Sequence, residues 1–169
     1  MDEWYKAINQ VKPGLIRTES DEVSYCLHVI LRFELELGLI DGSIKVEDLP
    51  KIWNKMMEEY LGVSVEKDSD GVLQDVHWSG GDIGYFATYA MGSIYAVQLY
   101  EKMIKEHPEY KEDIEKGNFA NILNWLNKNV HTYGREKTTE EIIKNICGEG
   151  LNPDVYIKYL RRKYLDIYK

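Results

Sequence analysis

Four histidines, His28, His77, His107 and His131, are where metal or proton-transfer chemistry would start in this chain, and their spacing excludes one form of it. No HExxH pair is present, the arrangement in which two imidazoles one helical turn apart hold zinc beside a glutamate base. No metal ligands are therefore assigned. His28 reads as a packed or partly exposed helical residue, and His107 and His131 as loop-adjacent or surface residues. The stretch "DVHWSGGDIGYFATYA" is richer. Asp75 stands two residues before His77, where a carboxylate can orient an imidazole or stabilise its charged form. The same residues also suit a turn in which Asp75 accepts backbone N–H bonds and Trp78 fills a groove, and spacing alone favours the turn. Arg17 poses a similar choice, since a guanidinium can grip a carboxylate bidentately, yet most arginines are structural or solvated. Tyr85 and Tyr89 lie one turn apart, where their hydroxyls can donate to a developing oxyanion. Thirteen tyrosines in the chain make that pair less distinctive. Cys26 and Cys147 lack a CxxC spacing and read as reduced, small apolar residues.

The elements that must carry these residues read as helices. Thr18 is placed to cap a helix with Glu19, Asp21 and Glu22 in its first turn, acids favoured at the positive end of the dipole. Val23, Leu27, Ile30, Leu31 and Leu35 continue it as a stripe that fades at "GLIDG". Asp48, Leu49 and Pro50 open a second helix with Ile52, Trp53, Met56, Met57, Tyr60 and Leu61 on its apolar side, and Gly62 stops it. After the polar loop "SVEKDSDG", a long helix is expected from about Ile83 to Glu106. Its small residues, among them Gly84, Ala87, Ala90, Gly92 and Ala96, would let another backbone approach. Pro108 ends it. Phe119 to Val130 forms another, closed by Gly134. Thr138 with Glu141 makes a capping box before "EIIKNIC", which Gly148 stops. Asn152 and Pro153 begin the last helix, with Val155, Tyr159, Leu160 and Leu165 as core candidates. The fold expectation is all-α, with room for short β pieces only around Gly71 to His77.

At 169 residues, the chain is the right size for a single helical domain, 1–169. Its hydrophobic share of 44% and charged share of 30% are ordinary for a globular protein. The net charge of -8 argues against nucleic acid and anionic membrane as partners. The basic "KYLRRKY" reads as a solvated helix face. No apolar run is long enough for a membrane span, and "MDEWYKAINQ" lacks the basic-then-apolar start of a signal peptide, so a soluble, cytoplasmic chain is expected.

In combination, "GLIRTESDEVSYCLHVILRFELE", "VEDLPKIWNKMMEEYLGV", "GVLQDVHWSGGDIGYFATYAMGSIYAVQLY" and "WLNKNVHTYG" resemble the C-terminal part of the Taq-type thermostable metallocarboxypeptidases. These HExxH zinc enzymes remove C-terminal residues from peptides. The resemblance runs from about Trp4 to Tyr168. "IRTESD" is similar to the family's IRTEAD-like signature, and "GVLQDVHW" to its GxxQDxHW signature. The resemblance implies a mostly helical, multi-helix fold with a deep groove and a homodimeric assembly. It makes Arg17 the candidate for holding a peptide's free carboxylate, and Gln74, Asp75 and Trp78 residues that line or brace the substrate groove. His77, Tyr85 and Tyr89 become candidates for catalytic contacts, with the choice between the tyrosines open.

The departures from the family carry as much weight. Ser20 stands where alanine is usual and Ala87 where proline is usual. The family's HExxH, its third glutamate ligand and its DxRxT signature precede the matched region and are absent here. For the complete enzyme the resemblance implies metal-assisted hydrolysis, with zinc or another divalent metal as cofactor. For this chain it implies no cofactor of its own, no hydrolysis in isolation, and apolar surface left uncovered. Expected partners are peptide C-termini in the complete enzyme, and either the missing N-terminal catalytic region or further copies of the chain. The other reading is a stand-alone, non-catalytic helical binding or interaction module derived from the same fold.

Overall fold

The computed structural model describes residues 2–169. Nearly all regular structure among them is helical, and no strand occurs, so Gly71 to His77 forms turns rather than β pieces. No helix among the described residues is long and apolar enough to cross a membrane. Two compact units are formed, one comprising the chain up to Ala90 with Ile167–Lys169, the other Met91–Asp166.

The first unit is built on two helices, α2 (Tyr25–Asp41) and α3 (Leu49–Leu61), preceded by the short α1 (Asp2–Ile8). Leu31 and Leu35 of α2 meet Leu49, Trp53, Met57 and Leu61 of α3 in an apolar core that Val72 completes. The i, i+4, i+8 spacing of Trp53, Met57 and Leu61 is what turns that side of α3 inward. Pro50 occupies its first turn, and Gly62, at φ 67°, ends it by donating its N–H to the Glu58 carbonyl.

The start of α2 differs from the expectation. Thr18 does not cap it; Arg17–Glu19 forms a tight 3-10 turn instead. Asp21 takes over, its Oδ1 accepting the backbone N–H groups of Val23 and Ser24 at 2.9 Å each and its Oδ2 the Ser24 hydroxyl at 2.8 Å. Three bonds to one carboxylate stabilise a local turn that competes with helix, so the helix proper starts only at Tyr25.

The segment entering the long helix also starts late. After the single turn of α4 (His77–Gly80), Gly81 and Gly84 adopt left-handed φ values of 86° and 80°, and α5 (Ala87–Glu106) begins at Ala87 rather than Ile83. A residue at φ 80° cannot continue a right-handed helix, and glycine is the one residue that adopts it without strain.

In the second unit, the later part of α5 is followed by α6 (Tyr110–Glu115), α7 (Ala120–Asn129), α8 (Thr139–Cys147) and most of α9 (Pro153–Ile167). The Thr138–Glu141 capping box forms, and Gly148 ends α8. Asn152 caps α9 by accepting the Asp154 N–H at 3.0 Å. Buried Gln98 donates to the Gly150 carbonyl at 2.9 Å and accepts from the Asn152 N–H at 3.1 Å. His107, the residue after α5, is loop-adjacent as expected; it is mostly covered and bonds Asp113 at 2.8 Å. One expectation is corrected here. Leu165 is largely exposed while Tyr156 and Tyr164 are buried, so the inward face of α9 lies one residue off the expected register. A side chain at Gly92 would meet nothing within 4 Å among the described residues.

Candidate functional site

The residues singled out in the sequence converge within the first unit. Gln74 ties the Arg17 turn to the segment before α4. Its Oε1 accepts the Arg17 backbone N–H at 2.9 Å, while its Nε2 donates to the carbonyls of Leu15 and Asp70 at 3.0 Å each. The next residue, Asp75, is thereby placed beside the Arg17 side chain.

Asp75 lies between two guanidinium groups. Its Oδ1 accepts from Arg17 Nη2 at 2.6 Å and Nε at 3.1 Å, and its Oδ2 from Arg32 Nε at 2.6 Å. Arg32 Nη1 donates to the His28 carbonyl at 2.8 Å, and its Nη2 is buried without a partner among the described residues. Burial alone would raise the Asp75 carboxyl, but the hydrogen bond from Arg17 and the charge of Arg32 outweigh it and hold it below the usual carboxylate range. Burial opposes the charge of Arg17 as well, and Asp75 overcomes it. Arg32 is buried completely, and burial prevails there, bringing it down to about 10 despite Asp75. His28, equally buried, is pushed to about 4 by burial and by the charges of Arg32 and Arg17. It is neutral at pH 7.

One carboxylate thus touches two cations. The other buried acid nearby, Glu36, is engaged elsewhere: its Oε1 accepts the Trp78 indole N–H at 3.0 Å and the Gly84 backbone N–H at 2.8 Å. These bonds hold the two ends of the turn that leads from α4 towards α5.

Aromatic rings close around the pair. The Arg17 guanidinium lies 4.8 Å from the Tyr89 ring centroid and 5.9 Å from that of Phe86, and Arg32 lies 4.6 Å from Trp53 and 5.7 Å from Phe86. Phe86 is buried between the two cations. His77 Nε2 and the Tyr89 hydroxyl are 2.9 Å apart, and the His77 ring stacks on Tyr85 at 5.9 Å between centroids. Tyr85 is about half exposed and meets Tyr89 edge-on at 5.4 Å.

The backbone-turn reading of Asp75 is corrected: its oxygens accept guanidinium N–H groups rather than backbone ones. The charge-pair reading fits the distance, since Asp75 Oδ1 stands 3.8 Å from His77 Nδ1, within ion-pair range but beyond a hydrogen bond. The structure brings Arg17, Gln74, Asp75, His77, Tyr85 and Tyr89 together and places Trp78 behind them, edge-on to Trp53 at 6.3 Å.

Sequence reasoning missed Arg32, Glu36 and Phe86. A signal for the first two was available: His28, Arg32 and Glu36 follow one another at four-residue intervals within the stripe of Leu31 and Leu35, so a polar ridge runs along the buried side of α2. Charged residues are almost never fully buried unless paired, so this ridge had to have partners. Chemically, the site offers a cation with aromatic support and a histidine hydrogen-bonded to a tyrosine. It does not offer a metal centre. Both Asp75 oxygens face cations, His77 Nε2 is tied to Tyr89, and no group of three or more His, Cys, Asp or Glu among the described residues is arranged to hold a metal ion.

Comparison with known proteins gives a consistent picture. Residues 1–164 match the family described as carboxypeptidase Taq (M32) metallopeptidase. Carboxypeptidase 1 of Bacillus subtilis is 45% identical over 168 residues, which are 99% of this chain and 34% of that protein. Thermostable carboxypeptidase 1 of Pyrococcus furiosus is 40% identical over 161 residues, 95% of this chain and 32% of that one. The crystal structure of the M32 carboxypeptidase from Deinococcus radiodurans R1 superposes with a TM-score of 0.95 at 40% identity, covering 99% of this chain and 34% of that chain. The chain therefore spans about a third of the length of the relatives it matches.

Proposed function

The chain belongs to the carboxypeptidase Taq (M32) metallopeptidase family, and we propose that it supplies the wall of a carboxypeptidase groove that receives the free carboxylate of a peptide C-terminus. The observation that carries this reading is the direct contact of two buried guanidinium groups with a single carboxylate. Arg17 is the recognition residue. Its Nε and Nη2 are held by Asp75, while Nη1 has only a 3.4 Å contact to the Tyr25 hydroxyl, leaving donor capacity for a second carboxylate. Asp75 fixes the guanidinium plane, and Gln74 fixes the turn from which it projects. Tyr85 and the His77–Tyr89 pair stand beside it as donors for the substrate's terminal peptide group.

Zinc does not fit the residues present at this site, for the reasons of donor chemistry given above. In this reading the metal and its ligands belong to the part of the larger enzyme that this chain does not match. Hydrolysis is a property of that complete enzyme, and the 169-residue chain releases no C-terminal amino acids by itself. Two measurements test the reading. The purified chain should bind a short peptide with a free C-terminus at least about tenfold more tightly than its C-terminal amide, about 1.4 kcal/mol, and Arg17→Met should erase that difference. Equal binding of acid and amide would remove the carboxylate-recognition role. Chelator-sensitive release of C-terminal residues by the isolated chain would show that the chain carries its own reactive centre.

A further inference from the structure

Helix α2 is apolar on both of its sides. One side carries Leu31 and Leu35 into the core of the first unit. The other presents Leu27, Ile30, Phe33, Leu37 and Ile40, spaced by three or four residues and 36 to 70% exposed. Such spacing puts them in one continuous stripe. The charges expected on the outward side of a surface helix are in part turned inward, because Arg32 and Glu36 are buried.

We infer that this outer stripe of α2 is the docking face for the polypeptide that makes up the rest of the relatives' length, the portion beyond the third that this chain covers. The inference rests on the carboxypeptidase reading above. One observation selects this occupant. The chain superposes at a TM-score of 0.95 on a solved protein of which it covers only 34%, so its fold exists as one third of a larger body.

The test is co-expression of this chain with the part of Bacillus subtilis carboxypeptidase 1 that it does not cover. The two should co-purify as a one-to-one complex. The double substitution Ile30→Glu and Leu37→Glu should cut the yield of complex about tenfold or more, because it places charges in an apolar contact. Its helical circular dichroism and melting temperature alone should stay unchanged, since both side chains are exposed. Undiminished co-purification of the substituted chain overturns the inference, as does failure of the unsubstituted chain to be retained by a soluble partner. Conversion of a homodimer to a monomer with co-purification intact would assign the stripe to a second copy and overturn it as well. Where the partner fragment does not stay soluble, the same two glutamates at the aligned positions of the intact Bacillus protein decide the matter. A fall in melting temperature of about 10 °C or more supports the inference, and an unchanged one overturns it. None of these readouts involves Arg17, so the docking face and the carboxylate role fail separately.

Discussion

Replacing Asp75 by asparagine keeps the side chain's size and removes its charge. In the native arrangement the carboxylate accepts four guanidinium hydrogen bonds, at 2.6, 2.6, 3.1 and 3.5 Å, from side chains that are 7% and 0% exposed. Asparagine can accept through one oxygen only, and its NH2 group faces a guanidinium N–H with nothing to receive it. Arg17 and Arg32 then become two buried cations without a counter-charge in contact. Breaking a buried pair by removing one partner costs about 3–5 kcal/mol. Arg32 is completely buried, which argues for the upper part of that range, while the slight exposure of Arg17 moderates it. Urea unfolding followed by tryptophan fluorescence measures the loss directly, Trp53 and Trp78 both lying beside the site. At about 2–4 °C per kcal/mol for a chain of this size, the melting temperature should fall by roughly 6–20 °C. The pH dependence adds a second signature. Because Asp75 is held below its ordinary value of 3.8, its stabilisation is fully present above that value and is lost as pH falls through its lower folded value. The asparagine variant should lose that acid limb. A loss below about 1 kcal/mol would mean that water screens the pair, and the argument from buried charge would fail.

Glu36 and His28 give two further tests on the same ridge of α2. Glu36→Leu leaves the Trp78 indole N–H without its acceptor and should cost about 1–3 kcal/mol, whereas Glu36→Gln keeps a carbonyl oxygen there and should stay within about 1 kcal/mol of the native chain. The Trp78 indole resonance in a nitrogen-proton spectrum reports whether the bond survives, and an unmoved resonance in the leucine variant would contradict the assignment. His28 is held neutral down to about 4 in the folded chain but titrates at 6.5 when unfolded, so stability is complete above pH 6.5 and declines as pH falls towards 4. The decline should amount to about 3 kcal/mol, and His28→Leu should flatten it in pH-dependent urea unfolding. A persistent slope in that variant would assign it to another group.

The helical character of the chain and most helix ends were legible because glycine, proline and capping residues act locally. Gly42, Gly62 and Gly148 end helices at left-handed φ, as their positions suggested. The two misplaced starts have a common cause. At Asp21 a side chain outcompeted the helix for backbone N–H groups, and at Gly84 a backbone N–H was claimed by Glu36 from 48 residues away. The first competition is visible in sequence only as one more acid in the expected first turn, and the second is not visible at all. The site shows the same division. Motif residues 17, 74, 75 and 77 were recognisable as a set, but the role of Asp75 is decided by Arg32, which lies 43 residues before it and reads locally as one more charge on a helix. Side chains that act through distant partners leave a trace only as a charge in an apolar stripe.

The bonding of Gln74 has a wider meaning. Its side-chain amide accepts from the N–H of Arg17 and donates to the carbonyl of Leu15, which flank Ile16 in its extended conformation. That is the pattern by which the N–H and C=O of one residue of a parallel β-strand pair with its neighbour. In a unit without strands, a single side chain thus acts as one rung of a ladder and sets the register of the segment opposite. A rung of this kind requires a donor and an acceptor on one planar group at one reach. Glutamate lacks the donor, and asparagine is a methylene too short.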